Sequence, residues 1–350
     1  MPVPMPVPLE RGAERFSSCP PSSRPSVKKA LIVGLCYNTN NRLDMRKLPG
    51  AQEDVKRLHH LLTTKFEYPS ENIVIMTDVG PTVDTRWPTR ENIVREMREL
   101  VHDVRDGDSI CFAYSGHGGQ VPTDGPEEID HLDEIFLPID ATYEPQRSGD
   151  KYVNFIRDND VRDILVDHLP DGVRCTMIFD CCHSGTASDL LNVDVPPTPV
   201  SPLASPLDSL LARPQAQGSR AFARMQTVHD GHADLLERFP DCRRNSPPAT
   251  NYVTSWSACC DDQETFGNLK GGLFVKAFYN SLIKQSAAAP THSGLLLGLR
   301  HELRDAVDRS NKNTKRRNPE WTEDDLLVAP RPQLGALLSP EAILDVRFTM

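Results

Sequence analysis

The sequence has no unbroken run of about 18 apolar residues, so no membrane-spanning helix is expected. Its opening, Met-Pro-Val-Pro-Met-Pro-Val-Pro, lacks the basic-then-apolar order of a secretory leader. Basic residues are in the minority, 39 Lys and Arg against 49 Asp and Glu, for a formal charge of −10. That speaks against nucleic acid as an obligate partner, since phosphate binding needs clustered cations. No Cys-x-x-Cys pair occurs, so a structural zinc site is not expected. The nine cysteines follow no framework spacing, which points to thiols in a reducing compartment, the cytoplasm with the nucleus as a second location. The Gly-rich phosphate loop that would mark a nucleotide-binding sheet is also missing, because Cys36-Tyr37-Asn38 follows the first strand-like run.

What is present is an alternation of buried-strand and helix patterns over 350 residues. Residues 1–27 are rich in Pro and Ser and are expected to be disordered. Lys29 to Leu35 reads as a buried strand, residues 50–65 as a helix through Val55, Leu58, Leu61 and Leu62, and Asn72 to Met76 as a second strand. A helix capped by Thr89 carries Ile93, Met97, Leu100 and Val104. Strands are expected over Ser109–Tyr114 and Cys175–Phe179, with a short element at Ile135–Ile139 and a helix over Asp158–His168 between them. This order implies an α/β fold with a mostly parallel sheet flanked by helices on both faces. Residues 192–250 break the pattern with Pro196, Pro197, Pro199, Pro202, Pro206, Pro214, Pro247 and Pro248, and read as a linker. Beyond it, Tyr252–Ala258 reads as a strand, and residues 271–284 and 293–307 as helices. Residues 310–330 read as a charged insertion, and the tail carries no readable signal.

The chemistry gathers at two strand ends. Cys175 to Phe179 runs into Asp180-Cys181-Cys182-His183-Ser184-Gly185, placing thiols at the carboxyl end of a buried strand, where open α/β sheets hold their sites. Ser109 to Tyr114 runs into Ser115-Gly116-His117-Gly118-Gly119. If those strands are neighbours, an imidazole and a thiol meet, as Cys–His nucleophilic catalysis requires. Strand alternation sends Cys181 and Cys182 to opposite faces, so only one of them can meet His117. His183 adjoins the nucleophile in sequence and is set aside as the base for that reason.

Tyr114-Ser115-Gly116-His117-Gly118 and Asp180-Cys181-Cys182-His183-Ser184-Gly185 resemble the paired motifs of the metacaspases, caspase-like cysteine peptidases, and of their type I members from fungi in particular. The resemblance covers most of residues 28–335. It implies a caspase-like fold with a six-stranded type of sheet, a large-subunit-like region over 28–191, a cleavable linker over 192–250 and a small-subunit-like region over 251–350. It implies Cys182 as nucleophile, with Cys181 at the variable position, His117 as general base and acid, and the Gly118 and Cys182 N–H groups as oxyanion donors. Asp54, Ser115 and Asp180 match the family's S1 positions, which implies cleavage after Arg or Lys. Calcium is the implied activator, with Asp133, Asp158, Asn159 and Asp189 as ligands. The family usually has Asp where Asn159 stands, so one charge is lost. A zymogen that processes itself, a monomeric state and a part in programmed cell death are implied as well.

The linker contains no lysine and carries Arg213, Arg220, Arg224, Arg238, Arg243 and Arg244. Arg220 and Arg224 are the favoured self-cleavage sites, because Pro214 protects Arg213. Trp256 is open to two readings, substrate groove or core. Cys259 and Cys260 are expected to be structural. The rival to a peptidase is a caspase-like scaffold that handles misfolded clients without proteolysis, and the intact His117 and Cys182 weigh against it as the sole role.

Overall fold

The structure is a computed structural model describing residues 24–39, 46–80, 84–123, 132–144, 151–182, 188, 190–193, 251–259, 265, 267–284, 289–322 and 325–350. In chain order its elements are β1 (Lys28–Gly34), α1 (Ala51–Thr64), β2 (Ile73–Thr77), α2 (Arg90–Val101), β3 (Ser109–Ser115), β4 (Gly118–Pro122) and β5 (Leu132–Phe136). There follow β6 (Thr142–Glu144), β7 (Lys151–Val153), β8 (Ile156–Arg157), α3 (Asp158–Arg162), β9 (Arg174–Asp180), β10 (Leu191–Asn192) and β11 (Tyr252–Ser257). The chain closes with β12 (Gly267–Asn268), β13 (Gly271–Gly272), α4 (Leu273–Ile283), α5 (His292–Arg317), β14 (Gln333–Ala336) and α6 (Pro340–Ile343).

One seven-stranded sheet runs in the order β10-β14-β11-β9-β3-β1-β2. The five strands from β11 to β2 are parallel, and β14 lies antiparallel to both β11 and β10. The expected α/β sheet is therefore present, with the two-residue β10 added beyond the six longer strands. Period-2 alternation sorts the side chains. Ala30, Ile32, Cys111, Ala113, Ile178 and Trp256 face a core shared with α1, α4 and α5. Leu31, Val33, Ile110, Phe112, Met177 and Phe179 face the core shared with α2 and α3. Helices thus cover both faces. Thr89 caps α2, its Oγ1 accepting from Asn92 N at 3.3 Å.

Four expectations need correction. α5 does not stop near Val307 but continues to Arg317, so the first part of the expected charged insertion is helix. No Pro or Gly interrupts Asp308–Arg317, and Lys315, Arg316 and Arg317 suit the negative end of the helix dipole. The tail is structural: Phe348 and Met350 are buried against α1, α4 and α5, because Arg347 bridges back to Thr291. The helix expected over 158–168 is α-helical only to Arg162 and then widens into a π-turn over Asp163–Asp167. The helix expected from residue 271 starts at Leu273, with Gly271–Gly272 forming β13 against β12. Apart from residues 192–193, the 192–250 linker lies outside the described residues, as do Arg220 and Arg224.

Candidate active site

The chain passes from β1 out to β2, then crosses back to β3 on the other side of β1. Clefts form where an α/β sheet reverses in this way, beyond the carboxyl ends of its strands. Gly34, Ser115 and Asp180 stand side by side there as register partners. His117 and Cys182 each lie two residues beyond a member of the Ser115–Asp180 pair, and so leave the same sheet edge together. A side chain on Gly118 would lie 2.4 Å from the Cys182 carbonyl oxygen, so the two motif loops touch through backbone. Cys181 is fully buried in the core beneath, whereas Cys182 is half-buried. The two cysteines thus divide as strand alternation requires, Cys181 into the core and Cys182 out of it.

Two buried tyrosines hold the His117 loop. The His117 N–H donates to Tyr37 Oη at 2.8 Å, and Tyr37 Oη donates to the Leu137 carbonyl at 2.6 Å. Tyr114 Oη donates to the His117 carbonyl at 2.9 Å. Tyr37 sits at φ 56°, a left-handed conformation that a non-glycine residue keeps only when its surroundings impose it. Gly116 is required beside them, since a Cβ there would come within 2.9 Å of both hydroxyl oxygens.

The imidazole lies 4.7 Å from the Tyr37 ring, and its Nε2 is 2.7 Å from the Arg46 carbonyl. A carbonyl only accepts, so Nε2 carries the proton and Nδ1 of the neutral ring is left to take one. Burial lowers the His117 pKa, and the Arg46 carbonyl opposes that shift. The neutral form needed of a general base is therefore favoured. Tyr37 and the Arg46 carbonyl escaped sequence reading. A backbone oxygen leaves no mark in the side-chain sequence, and Tyr37 declares itself only through its backbone angle.

The three S1 candidates come together. Ser115 Oγ donates to Asp54 Oδ2 at 3.1 Å. The Gly272 N–H donates to both Asp54 oxygens, at 2.9 and 2.8 Å. Asp180 accepts from Thr265 Oγ1 at 3.0 Å and from the Val275 N–H in the first turn of α4 at 3.1 Å. Both carboxylates are buried. Burial raises the pKa of each, and for Asp54 the neighbouring charge of Asp180 adds to the rise. Arg57 Nη1, 3.3 Å from Asp54 Oδ1, offsets part of this, and two like charges out of water still leave a site that a further cation relieves. Gly272 is needed here, because a Cβ would sit 2.1 Å from Asp180 Oδ2. Nothing in the sequence marks Thr265 or Gly272 as part of this pocket, since only the chain reversal through β13 brings them to it.

Among the calcium candidates, Asp133 and Asp158 are fully buried. Asp158 accepts the Glu134 N–H at 3.3 Å and the Asn159 N–H at 2.8 Å. Asp133 Oδ2 accepts from Arg157 Nη1 at 2.6 Å, while its Oδ1 is buried without a partner. Hard carboxylate oxygens and an unanswered one among them suit a calcium ion. Among the described residues, however, no three His, Cys, Asp or Glu side chains converge on one point, and no contact brings the Asn159 side chain to the pair. Asp189 lies outside the described residues, as do His183 and Cys260. Trp256 is fully buried and packs on Phe278, His292 and Phe348, so it belongs to the core and not to a groove. Cys259 is buried, its thiol 3.6 Å from the Cys181 carbonyl.

Residues 28–191 match the family described as "Metacaspase, peptidase C14 domain". Metacaspase-1A of Aspergillus oryzae is 39% identical over 178 residues, 51% of this chain and 38% of that protein. Metacaspase-1 of Schizosaccharomyces pombe is 40% identical over 164 residues, 47% of this chain and 35% of that one. Metacaspase-1 of Debaryomyces hansenii is 32% identical over 279 residues, 77% of this chain and 60% of its own length. The matched stretch thus spans less than two thirds of each of these relatives. A solved Geobacter sulfurreducens protein superposes with a TM-score of 0.50 at 18% identity, covering 93% of this chain and 99% of that one, and shares the fold. With the two motif loops meeting at one sheet edge and these matches beside them, residues 28–191 form a peptidase C14 domain of the metacaspase kind.

Proposed function

We propose that the protein is a calcium-activated cysteine endopeptidase that cleaves peptide bonds after Arg or Lys. The observation that carries this reading is what the Ser115–Asp180 sheet edge holds: the two motif loops in backbone contact, one with the oriented imidazole and the other with the half-buried Cys182, beside a buried carboxylate pair.

The cationic side chain before the cleaved bond enters between Asp54 and Asp180, with Ser115 holding Asp54 in place. Nδ1 of His117 takes the Cys182 proton, and the thiolate attacks the carbonyl carbon. Negative charge developing on the carbonyl oxygen is received by the Gly118 and Cys182 N–H groups. Collapse breaks the C–N bond, and His117 returns the proton to the leaving amine. A water then gives its proton to His117 and attacks the thioester, releasing the acid and restoring the thiol. Asp133 and Asp158, with Asn159 and Asp189 as further ligands, would hold calcium, which would supply the positive charge that the buried carboxylates lack. Self-processing falls after Arg220 or Arg224. The protein acts as a monomer in the cytoplasm, with the nucleus as a second compartment.

Matched fluorogenic peptides ending in Arg, Lys or Asp, assayed with calcium and with chelator, test this reading. Arg and Lys peptides are expected to be cut and Asp peptides spared. Cys182→Ala is expected to lower the rate at least about a thousandfold. Preferential cleavage after Asp, or hydrolysis that survives Cys182→Ala, would contradict it.

A further inference from the structure

The guanidinium at the acidic site is placed there by the fold. β5 and β8 are antiparallel with Ile135 opposite Arg157. Asp133 is two residues from Ile135 and shares its face, so Arg157 and Asp133 form a diagonal cross-strand pair. Their contact is 2.6 Å, with Asp133 at 1% side-chain exposure and Arg157 at 43%. The second oxygen of Asp133 stays buried and unanswered. The carboxylate is half satisfied by a guanidinium that is itself partly in water and lies 5.7 Å from the centre of the Phe155 ring.

We propose that Arg157 is a tethered competitor for the ion at Asp133 and Asp158. A divalent cation enters by displacing the guanidinium, and Arg157 thereby raises the calcium concentration at which the chain responds. This rests on the calcium reading above and names its regulation. The site has a direct mechanical route to the catalytic loop. β4 begins at Gly118, immediately after His117, and pairs with β5 from Gly118↔Phe136 to Val121↔Asp133. The Leu137 N–H, just beyond β5, donates to the His117 carbonyl at 3.1 Å. A tightened Asp133 end pulls on the ribbon that carries His117.

The test is calorimetric titration of calcium chloride into the full chain, in a Cys182→Ala background so that no cleavage intervenes. Arg157→Gln is expected to bind calcium at least about tenfold more tightly, in line with removal of a cation from a buried carboxylate. In chelator it melts below the parent, because Asp133 is left unpaired, and it gains more on calcium addition. Asp133→Asn abolishes the tight site in either background. Equal or weaker calcium binding by Arg157→Gln overturns the competition while leaving calcium activation standing. Calcium binding by neither protein overturns both. If Arg157→Gln does not fold, Arg157→Lys decides: a shorter single-point cation that competes less gives tighter binding, and unchanged binding refutes the proposal.

Discussion

Replacing Asp54 with asparagine removes one of two buried carboxylates while keeping its shape. With its amide oxygen at the Oδ1 position the side chain still accepts from the Gly272 N–H and from Arg57 Nη1, and its amide nitrogen at the Oδ2 position donates to Ser115 Oγ, so only the Gly272 contact to Oδ2 is lost. An incoming arginine then meets only Asp180. Truncating one side of a buried charge pair costs about 2–3 kcal/mol at the low end, so kcat/KM for Arg peptides should fall roughly 30- to 150-fold. Stability should move the other way. Burial, and then the charge of Asp180, raise the Asp54 pKa above its ordinary 3.8. A carboxyl raised on folding contributes stability fully present below its unfolded pKa and lost as pH climbs through the folded value. Each unit of rise corresponds to about 1.4 kcal/mol. The parent should therefore lose melting temperature between acid and neutral pH, and Asp54→Asn should lose less, ending at pH 8 no less stable than the parent. Arg-, Lys- and Asp-ended peptides measured beside a pH series of thermal melts read both effects. A fall of less than threefold on Arg peptides, or a marked drop in melting temperature at pH 8, would refute the reasoning.

Gly272→Ala puts a methyl where Asp180 Oδ2 now sits, and should raise KM for Arg and Lys peptides with little change in the rate of Cys182 alkylation. Tyr37→Phe deletes the acceptor of the His117 N–H and the donor to Leu137, and should cost about 1–3 kcal/mol in chemical denaturation, with a lower kcat. Calcium-treated protein should show new amino termini after Arg220 or Arg224 on sequencing, and Cys182→Ala should show neither.

The parts of the fold that local pattern controls were legible from sequence. The aliphatic run of β1, the Thr89 cap and the two motif strands all appear where hydrophobic period and capping chemistry place them. His117 and Cys182 were legible because glycines and strand ends advertise a cleft. What escaped was long-range. Phe348 and Met350 look like an unremarkable tail until α1, α4 and α5 supply a surface for them. Gly271–Gly272 reads as the start of a helix until its N–H is found on Asp54, 218 residues away in sequence. The polar last turns of α5 read as an insertion, because a solvated helix face carries no apolar period. Arg157 reads as a charge beside an aspartate; only the β5–β8 register turns it into the cation of a buried site.

The direct test of the central claim is the rate at which iodoacetamide alkylates Cys182, followed by intact mass from pH 5 to pH 9, in the parent and in His117→Ala. If His117 takes the Cys182 proton, alkylation in the parent persists well below the pH at which an ordinary thiol ionises, and His117→Ala shifts the profile upward by more than one pH unit. Superimposable profiles would mean that the imidazole and the thiol do not act together, and the account would fail.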